Sequence, residues 1–492
     1  MAVPGLPSSV SFQTSQSQMS TSHPITFHER IEDALGNAQL HTALNRATQR
    51  FATQRANGLA SLPNADGIRD HARLIRAHTL SNLDRYIAQF AEAVEASGGH
   101  IHFAKDAAEA NAICLEIAKQ TGAKKVVKGK SMVTEETHLN DFLEQAGLEV
   151  IESDLGERII QLAGETPSHI VAPAIHKTKE EIGKLLHQTI GAPLTDEPEV
   201  MTAAAREHLR EVYLTADIGV SGVNFGVAET GSICLVENEG NGRLTTTAPR
   251  VHVAFMGMER LVPTMADLSV MLHVLARSAT GQKLSVYTNI ITGPRRANEP
   301  DGPDELHIIL VDNGRSKVLA SETAEILFCI RCGACLNACP VYREIGGHAY
   351  GSVYPGPVGS VLTPSLRGIE NWPEMPHASS LCGACREVCP VRIDLPKMLV
   401  ELRNQGDKAG KTPVWLKAGL MAYRTAATHP ALFKLGVQMG QLGTRVLARA
   451  GWINRLPGPL AGWTNSRDFP QFPKKSFSQM FSQHGNAEKP RN

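Results

Sequence analysis

Aromatic residues make up only 5% of the 492-residue chain, and an excess of either charge is missing altogether: 49 Lys and Arg face 49 Asp and Glu. Phosphate binding along a whole chain needs an excess of basic side chains, so the balance argues against a chain-wide nucleic-acid binder. No run of about 18 apolar residues occurs, which argues against a transmembrane helix. Residues 1–24 lack the basic start and apolar core of a secretory signal. They are instead rich in Ser, Thr and Gln and almost uncharged, which predicts a disordered leader over residues 1–27. No GxGxxG fingerprint and no P-loop lysine is present, so a nicotinamide, flavin or nucleotide site of those types is not expected. The expected location is the cytoplasm, with peripheral contact at the inner face of the membrane left open.

What is there is ordinary globular material, 42% hydrophobic, long enough for about three domains and a sizeable core. After the leader, residues 28–320 mix helical and strand-like periods, 321–410 hold seven cysteines, and 411–492 are rich in Trp, Pro and basic side chains. Apolar spacing of three and four predicts helices over 35–57, 65–79, 80–97, 106–121 and 135–146. Short β-branched runs predict strands at 100–104, 125–128, 149–151, 232–236, 251–255, 284–291 and 307–312. Such alternation implies an α/β fold with a largely parallel sheet covered by helices. Residues 217–232 hold four glycines and read either as an anion-binding loop or as a tight connection needing positive φ.

Nine cysteines in a cytoplasmic chain point to metal or redox chemistry rather than disulfides. Cys114 and Cys234 stand alone in apolar patterns and read as core thiols. The other seven repeat: Cys332, Cys335, Cys339 and Pro340 recur 50 residues later as Cys382, Cys385, Cys389 and Pro390. Hooks of this spacing ending in Cys-Pro mark a two-cluster ferredoxin module, in which the cysteine before proline reaches the other cluster. On that rule one 4Fe–4S cluster takes Cys329, Cys332, Cys335 and Cys389. The second takes Cys339, Cys382 and Cys385, with Ser379 standing where a cysteine is expected. A 3Fe–4S cluster, a 4Fe–4S cluster with an open or oxygen-ligated iron, or a fourth ligand such as Ser379, Ser380 or His377 all remain possible. Structural zinc is the competing reading, but zinc sites seldom repeat three hooks that end in Cys-Pro. Between the hooks, residues 346–359 are too rich in Gly and Pro to predict a helix. There His348, Tyr350 and Tyr354 could tune the clusters or simply pack.

The chain resembles the lactate-utilisation protein B family, iron–sulfur proteins of bacterial L-lactate oxidation. The resemblance rests on residues 126–136 (VVKGKSMVTEE), 154–177 (DLGERIIQLAGETPSHIVAPAIHK), 225–232 (FGVAETGS), 347–351 (GHAYG), the paired hooks and the tail. It implies a LUD-type α/β domain akin to isomerase and CoA-transferase-like folds, then an α-helical two-cluster module and a helical basic tail. It implies an electron-transferring component, without catalytic residues of its own, in an assembly oxidising L-lactate to pyruvate. The implied partners are a cysteine-rich subunit and a smaller LUD-domain subunit. The Ser379 departure from the ferredoxin pattern resembles the family too.

Lactate oxidation releases two electrons and an iron–sulfur cluster passes one, so a pair of clusters suits a relay. In the large domain Lys128, Lys130 and Ser131 follow a strand and precede a helix, a plausible carboxylate- or phosphate-binding place. Glu165, His169, His176 and Glu229 are further candidates, Glu229 as a base or nucleophile. The zero net charge comes apart at the C-terminus: from Arg403 onward 14 basic residues face three acidic ones, +11 against −11 for the rest. Stretches 413–426 and 430–450 read as basic amphipathic helices that could meet an acidic partner, a respiratory acceptor, an anionic membrane surface or the chain's own body. The alternatives to lactate electron transfer are a cluster-bearing sensor or scaffold that binds a small organic acid, and a subunit serving another 2-hydroxy acid such as glycolate.

Overall fold

Thr26 is the first residue described. Its side chain accepts the Glu29 amide while Glu29 caps the Thr26 amide in return, a capping box that starts the helix Phe27–Gly36. The computed structural model describes residues 26–464 and 467–487, so the expected disordered leader lies outside them except for Thr26 and Phe27. The helix expected over 35–57 is two. Asn37 turns the chain and its side chain accepts the Leu40 amide, starting a new helix, Ala38–Ala60. A third and fourth helix, Ala65–Ser81 and Leu83–Ala96, follow as expected in outline.

The chain then alternates. In order, the strands are β1 (His100–Ala104), β2 (Lys125–Lys128), β3 (Glu149–Glu152), β4 (Ile218–Gly222), β5 (Phe225–Val227), β6 (Ser232–Glu237), β7 (Val251–Gly257), β8 (Leu261–Val262), β9 (Tyr287–Ile291) and β10 (Glu305–Val311). Six of them form one wholly parallel sheet in the order β1-β10-β7-β4-β2-β3. The other four form a smaller mixed sheet, β8-β5-β6-β9. The α/β fold with a LUD-type domain, a two-cluster module and a helical C-terminal region stands.

β7 is buried along its whole length, as the central strand of a sheet covered on both faces must be. Its side chains alternate between two cores. Val253 and Phe255 face Cys114, Ile117 and Leu143 on one side. Ala254 and Met256 face the other, where β5, β6, the N-terminal helices and the cysteine hooks share a single core. The hooks are therefore packed into the α/β body rather than appended to it.

Four expectations need correction. Residues 217–232 are not a loop: β4 and β5 run through them. Of the glycines there only Gly231 takes a positive φ, 67°. Gly219 is needed instead for close approach, since a Cβ there would lie 1.8 Å from the Thr245 carbonyl oxygen. The helix expected over 135–146 breaks at His138, left-handed at φ 55°, into Met132–Thr137 and Leu139–Gln145. The strand expected from 284 begins at Tyr287. Residues 346–359 do contain helix: Gly356–Arg367 starts inside them, because Pro357 falls in the first turn, where a missing N–H costs nothing.

The chain divides into two compact units between Ala409 and Gly410. In the second, the helix Val414–Thr428 buries none of its residues, and Pro430–Leu447 buries only Thr444. Trp452–Ile453 pairs antiparallel with Phe469–Pro470. Trp415 is 75% exposed and Leu442 65%. Among the described residues no helix is long and apolar enough to cross a membrane.

Candidate iron–sulfur site

The 50-residue repeat is a repeat of backbone as well as of cysteines. Arg331 and Leu381, each one residue before a hook cysteine, are left-handed at φ 60° and 54°. Gly333 and Gly383, each one residue after, are left-handed at 75° and 85°. Short helices Ala334–Ala338 and Ala384–Val388 follow. A non-glycine residue held left-handed costs about 1–3 kcal/mol, and both hooks carry that strain at the same place. The turn aims amides at sulfur: the Arg331 N–H donates to Cys329 Sγ at 3.4 Å, and the Tyr342 N–H to Cys339 Sγ at 3.4 Å.

The hooks cross over. Cys329, Cys332 and Cys335 of the first hook and Cys389 of the second line one cavity, closed by Ile170, Val358 and Val391. Cys339 lies against Cys382 and Cys385. The first set is buried or nearly so, whereas Cys382 in the second is exposed. Burial pushes the Cys332 thiol up to about 12 and Cys389 to about 11, and the neighbouring thiols add to it. Cys385 is likewise raised to about 12. Metal loading must therefore release protons that burial holds tightly. Tyr350 tests the fit: its hydroxyl is buried without a hydrogen-bond partner, and Cys339 and Cys335 both act on it electrostatically. A donor stranded beside thiols is what sulfur of a bound cluster would satisfy.

Ser379 is turned away from that task in part. Its Oγ accepts the Leu381 amide at 3.1 Å, and its carbonyl accepts from Arg403. Burial and Arg403 lower His377.

A shell of arginines holds the hooks by their carbonyl oxygens. Arg55 Nη2 donates to Val388 O at 2.7 Å. Arg69 Nη2 donates to Glu387 O and Cys389 O at 2.5 and 2.9 Å. Arg73 reaches Arg392 O at 2.8 Å, Arg76 reaches Leu327 O at 2.9 Å, and Arg260 reaches Cys329 O at 3.0 Å. Composition and hook spacing missed this shell. Arg69, Arg73 and Arg76 recur at intervals of four and three beside Ala72 and Ile75, so the helical period could have revealed them.

The candidate residues of the large domain separate. Lys128 is not free: its Nζ meets Glu152 at 2.7 Å and Glu135 at 3.1 Å in the interior. Burial opposes its charge, but the two carboxylates outweigh that and raise it. His169 is a strut. Nδ1 accepts the Val171 and Ala172 amides, so Nε2 carries the proton toward Asn337 Oδ1 at 3.2 Å. Burial lowers it to about 4 and keeps it neutral. Glu165 joins His176 at 2.7 Å and Lys177 at 2.6 Å, and His176 packs edge-on to His348. Glu229 caps the Met265 amide at 3.1 Å. Lys130 and Ser131 alone line a larger cavity where the parallel strands end.

Tyr354, offered as a tuning or packing residue, ties the hooks to the sheet. Its hydroxyl donates to Glu136 Oε2 at 2.6 Å. Arg315 grips Glu136 with two bonds of 2.9 Å and Glu259 with one of 2.7 Å, all three buried. Arg331 lies over the Tyr354 ring at 4.8 Å. Cys114 and Cys234 are buried thiols raised to about 12, as core thiols are.

Comparison with known proteins finds three matching family models. Residues 87–311 match the LUD domain, 325–393 the 4Fe-4S dicluster domain, and 401–486 the C-terminal part of lactate utilisation protein B. Lactate utilization protein B of Anoxybacillus flavithermus is 46% identical over 462 residues, covering 94% of this chain and 98% of its own. That of a Geobacillus strain is 47% identical over 460 residues, covering 93% and 97%. Uncharacterized electron transport protein YkgF of Escherichia coli is 45% identical over 463 residues, covering 94% and 98%.

Proposed function

The chain belongs to the lactate utilization protein B family, and from that premise we propose that it is the iron–sulfur electron-transfer component of an assembly oxidising L-lactate to pyruvate. It carries a 4Fe-4S dicluster domain. The observation that carries the reading is the crossover of the hooks, with cysteines of both lining one cavity. We assign Cys329, Cys332, Cys335 and Cys389 to the first cluster and Cys339, Cys382 and Cys385 to the second. The module is taken to span 321–410 and the LUD-type domain 28–320.

Bound to these thiolates, iron–sulfur clusters supply one-electron transfer. The chain's own residues exclude water from the first set with Ile170, Val358 and Val391, and hold its loop by carbonyls with Arg69 and Arg260. The exposure of Cys382 suits a second set that faces a redox partner. The exposed apolar and basic helices 414–447 supply a surface for docking on the assembly's other subunits, a cysteine-rich one and a smaller LUD-domain one. The hydride-accepting step is assigned to another subunit of the assembly. The chain is expected on the cytoplasmic side.

The test is genetic. A deletion strain should fail to grow on L-lactate and recover with the wild-type chain but not with Cys332→Ser. Normal growth on L-lactate with failure on glycolate would transfer the role to another 2-hydroxy acid.

A further inference from the structure

A cavity of about 310 Å³ opens where β2, β3, β4 and β7 end, the edge at which parallel α/β sheets bind ligands. Its volume lies at the small end of ligand pockets. Arg260 and Arg331, adjacent to one another, line it together with Cys332 of the first cluster set, while Lys130, paired with Glu157 at 3.6 Å, lines it along with Asp154, Glu237 and Glu239. Leu235, Leu272 and Leu275 give the cavity an apolar part.

Arg260 and Arg331 are short of carboxylate partners among the described residues. Arg331 has a side chain only 7% exposed, and its one carboxylate, Glu259 at 3.5 Å, is shared with Arg315 at 2.7 Å. Arg331 Nη1 is buried with no hydrogen-bond partner. Arg260, also buried, donates to a carbonyl and forms no ion pair among the described residues. A buried Arg260 without an ion pair, beside an Arg331 whose single carboxylate is already taken up by Arg315, is an expensive arrangement unless an anion joins the two. Ser131, 5% exposed, accepts the Thr134 amide on Oγ, which leaves its hydroxyl proton free to donate. Gly222 keeps that hydroxyl accessible, since a Cβ there would lie 2.9 Å from it.

We propose that this cavity binds a small 2-hydroxy or 2-oxo carboxylate, its carboxylate taken by Arg260 and Arg331 and its 2-oxygen by Ser131. The need for an anion stands on the cavity itself; the choice of acid class rests on the proposed function. The site is one of binding, and no bond is made or broken in it. An arginine that reaches both the acid and the Cys329 loop makes occupancy legible at the first cluster.

The experiment is calorimetry on the anaerobically purified, cluster-loaded chain with L-lactate, pyruvate, propionate and inorganic phosphate. L-lactate and pyruvate should bind saturably at one site. Arg260→Gln, checked for unchanged iron content and circular dichroism, should weaken both by about tenfold or more, the loss of a charged hydrogen-bonded contact. Ser131→Ala, the gentler variant, should weaken L-lactate and pyruvate and leave propionate, which lacks the 2-oxygen, unchanged. Absence of saturable binding by either acid, phosphate binding as tight as the acids, or equal binding in wild type and both variants would each overturn the site. Binding as predicted, with clusters that L-lactate cannot reduce in the complete assembly, would overturn the electron-transfer reading and leave this site intact.

Discussion

Glu136→Gln removes one charge from the interior of the molecule while keeping the shape of the side chain. Glu136 accepts two bonds from Arg315, one from Asn313 at 2.6 Å and one from Tyr354. Burial alone would raise its carboxyl. Arg315 outweighs burial and, with the hydrogen bonds, lowers it from 4.5 to about 2. At about 1.4 kcal/mol per unit, that difference amounts to ~3 kcal/mol of stability. An independent estimate agrees: depriving a buried cation of its partner costs about 3–5 kcal/mol. The sign follows from the depressed value. The contribution is complete above about pH 4.5 and is lost as pH falls toward 2. Urea unfolding of the anaerobic protein at neutral pH, followed by circular dichroism, should show the variant less stable by ~3 kcal/mol. Because Tyr354 stacks under Arg331 beside the first hook, the variant should also lose iron faster to a chelator. A variant within about 0.5 kcal/mol of wild type, the scatter of neutral surface changes, would refute the network as a structural tie.

Cys332→Ser should lose one cluster and its spectroscopic signal while the α/β body keeps its circular dichroism. Arg69→Gln strands the carbonyls of Glu387 and Cys389; it should cost about 1.5–3 kcal/mol and speed loss of the first cluster in a chelator assay. Gly347→Ala puts a Cβ 1.8 Å from the Ser168 carbonyl oxygen, so it should lower the melting temperature markedly, whereas Gly383→Ala, with open space around it but φ 85°, should cost only about 1–2 kcal/mol. His169, neutral in the fold and lowered to about 4 chiefly by burial, stabilises above about pH 6.5. That contribution should fade as pH falls toward 4, and His169→Gln should abolish the dependence in thermal melts.

That Cys389 joins Cys329, Cys332 and Cys335 at one cavity was legible in the repeat of the chain: three thiols at fixed spacing, then proline, then the same again. The parallel sheet was legible for a similar reason, since buried strands such as β7 and β10 read as continuous apolar runs. β4 and β5 were not, because their glycines serve close packing against Thr245 and Met256 rather than turns, and glycine alone does not announce which. The helix breaks at Asn37 and His138 were hidden by unbroken apolar spacing on either side. Glu229 and Lys128 read as chemistry because they are charged residues in a turn and at a strand end. Only three-dimensional context reveals one as a helix cap and the other as a paired interior lysine. Arg260 and Arg331 meet across 71 residues of sequence, a separation at which no local pattern speaks.

The most direct test is EPR spectroscopy of the anaerobically isolated assembly before and after L-lactate, with iron and sulfide counted on the same sample. The account predicts about seven or eight irons per chain, according to whether the second set holds three or four, and cluster signals that change on adding L-lactate. Zinc in place of iron, or clusters untouched by L-lactate while pyruvate accumulates at the normal rate, would contradict it.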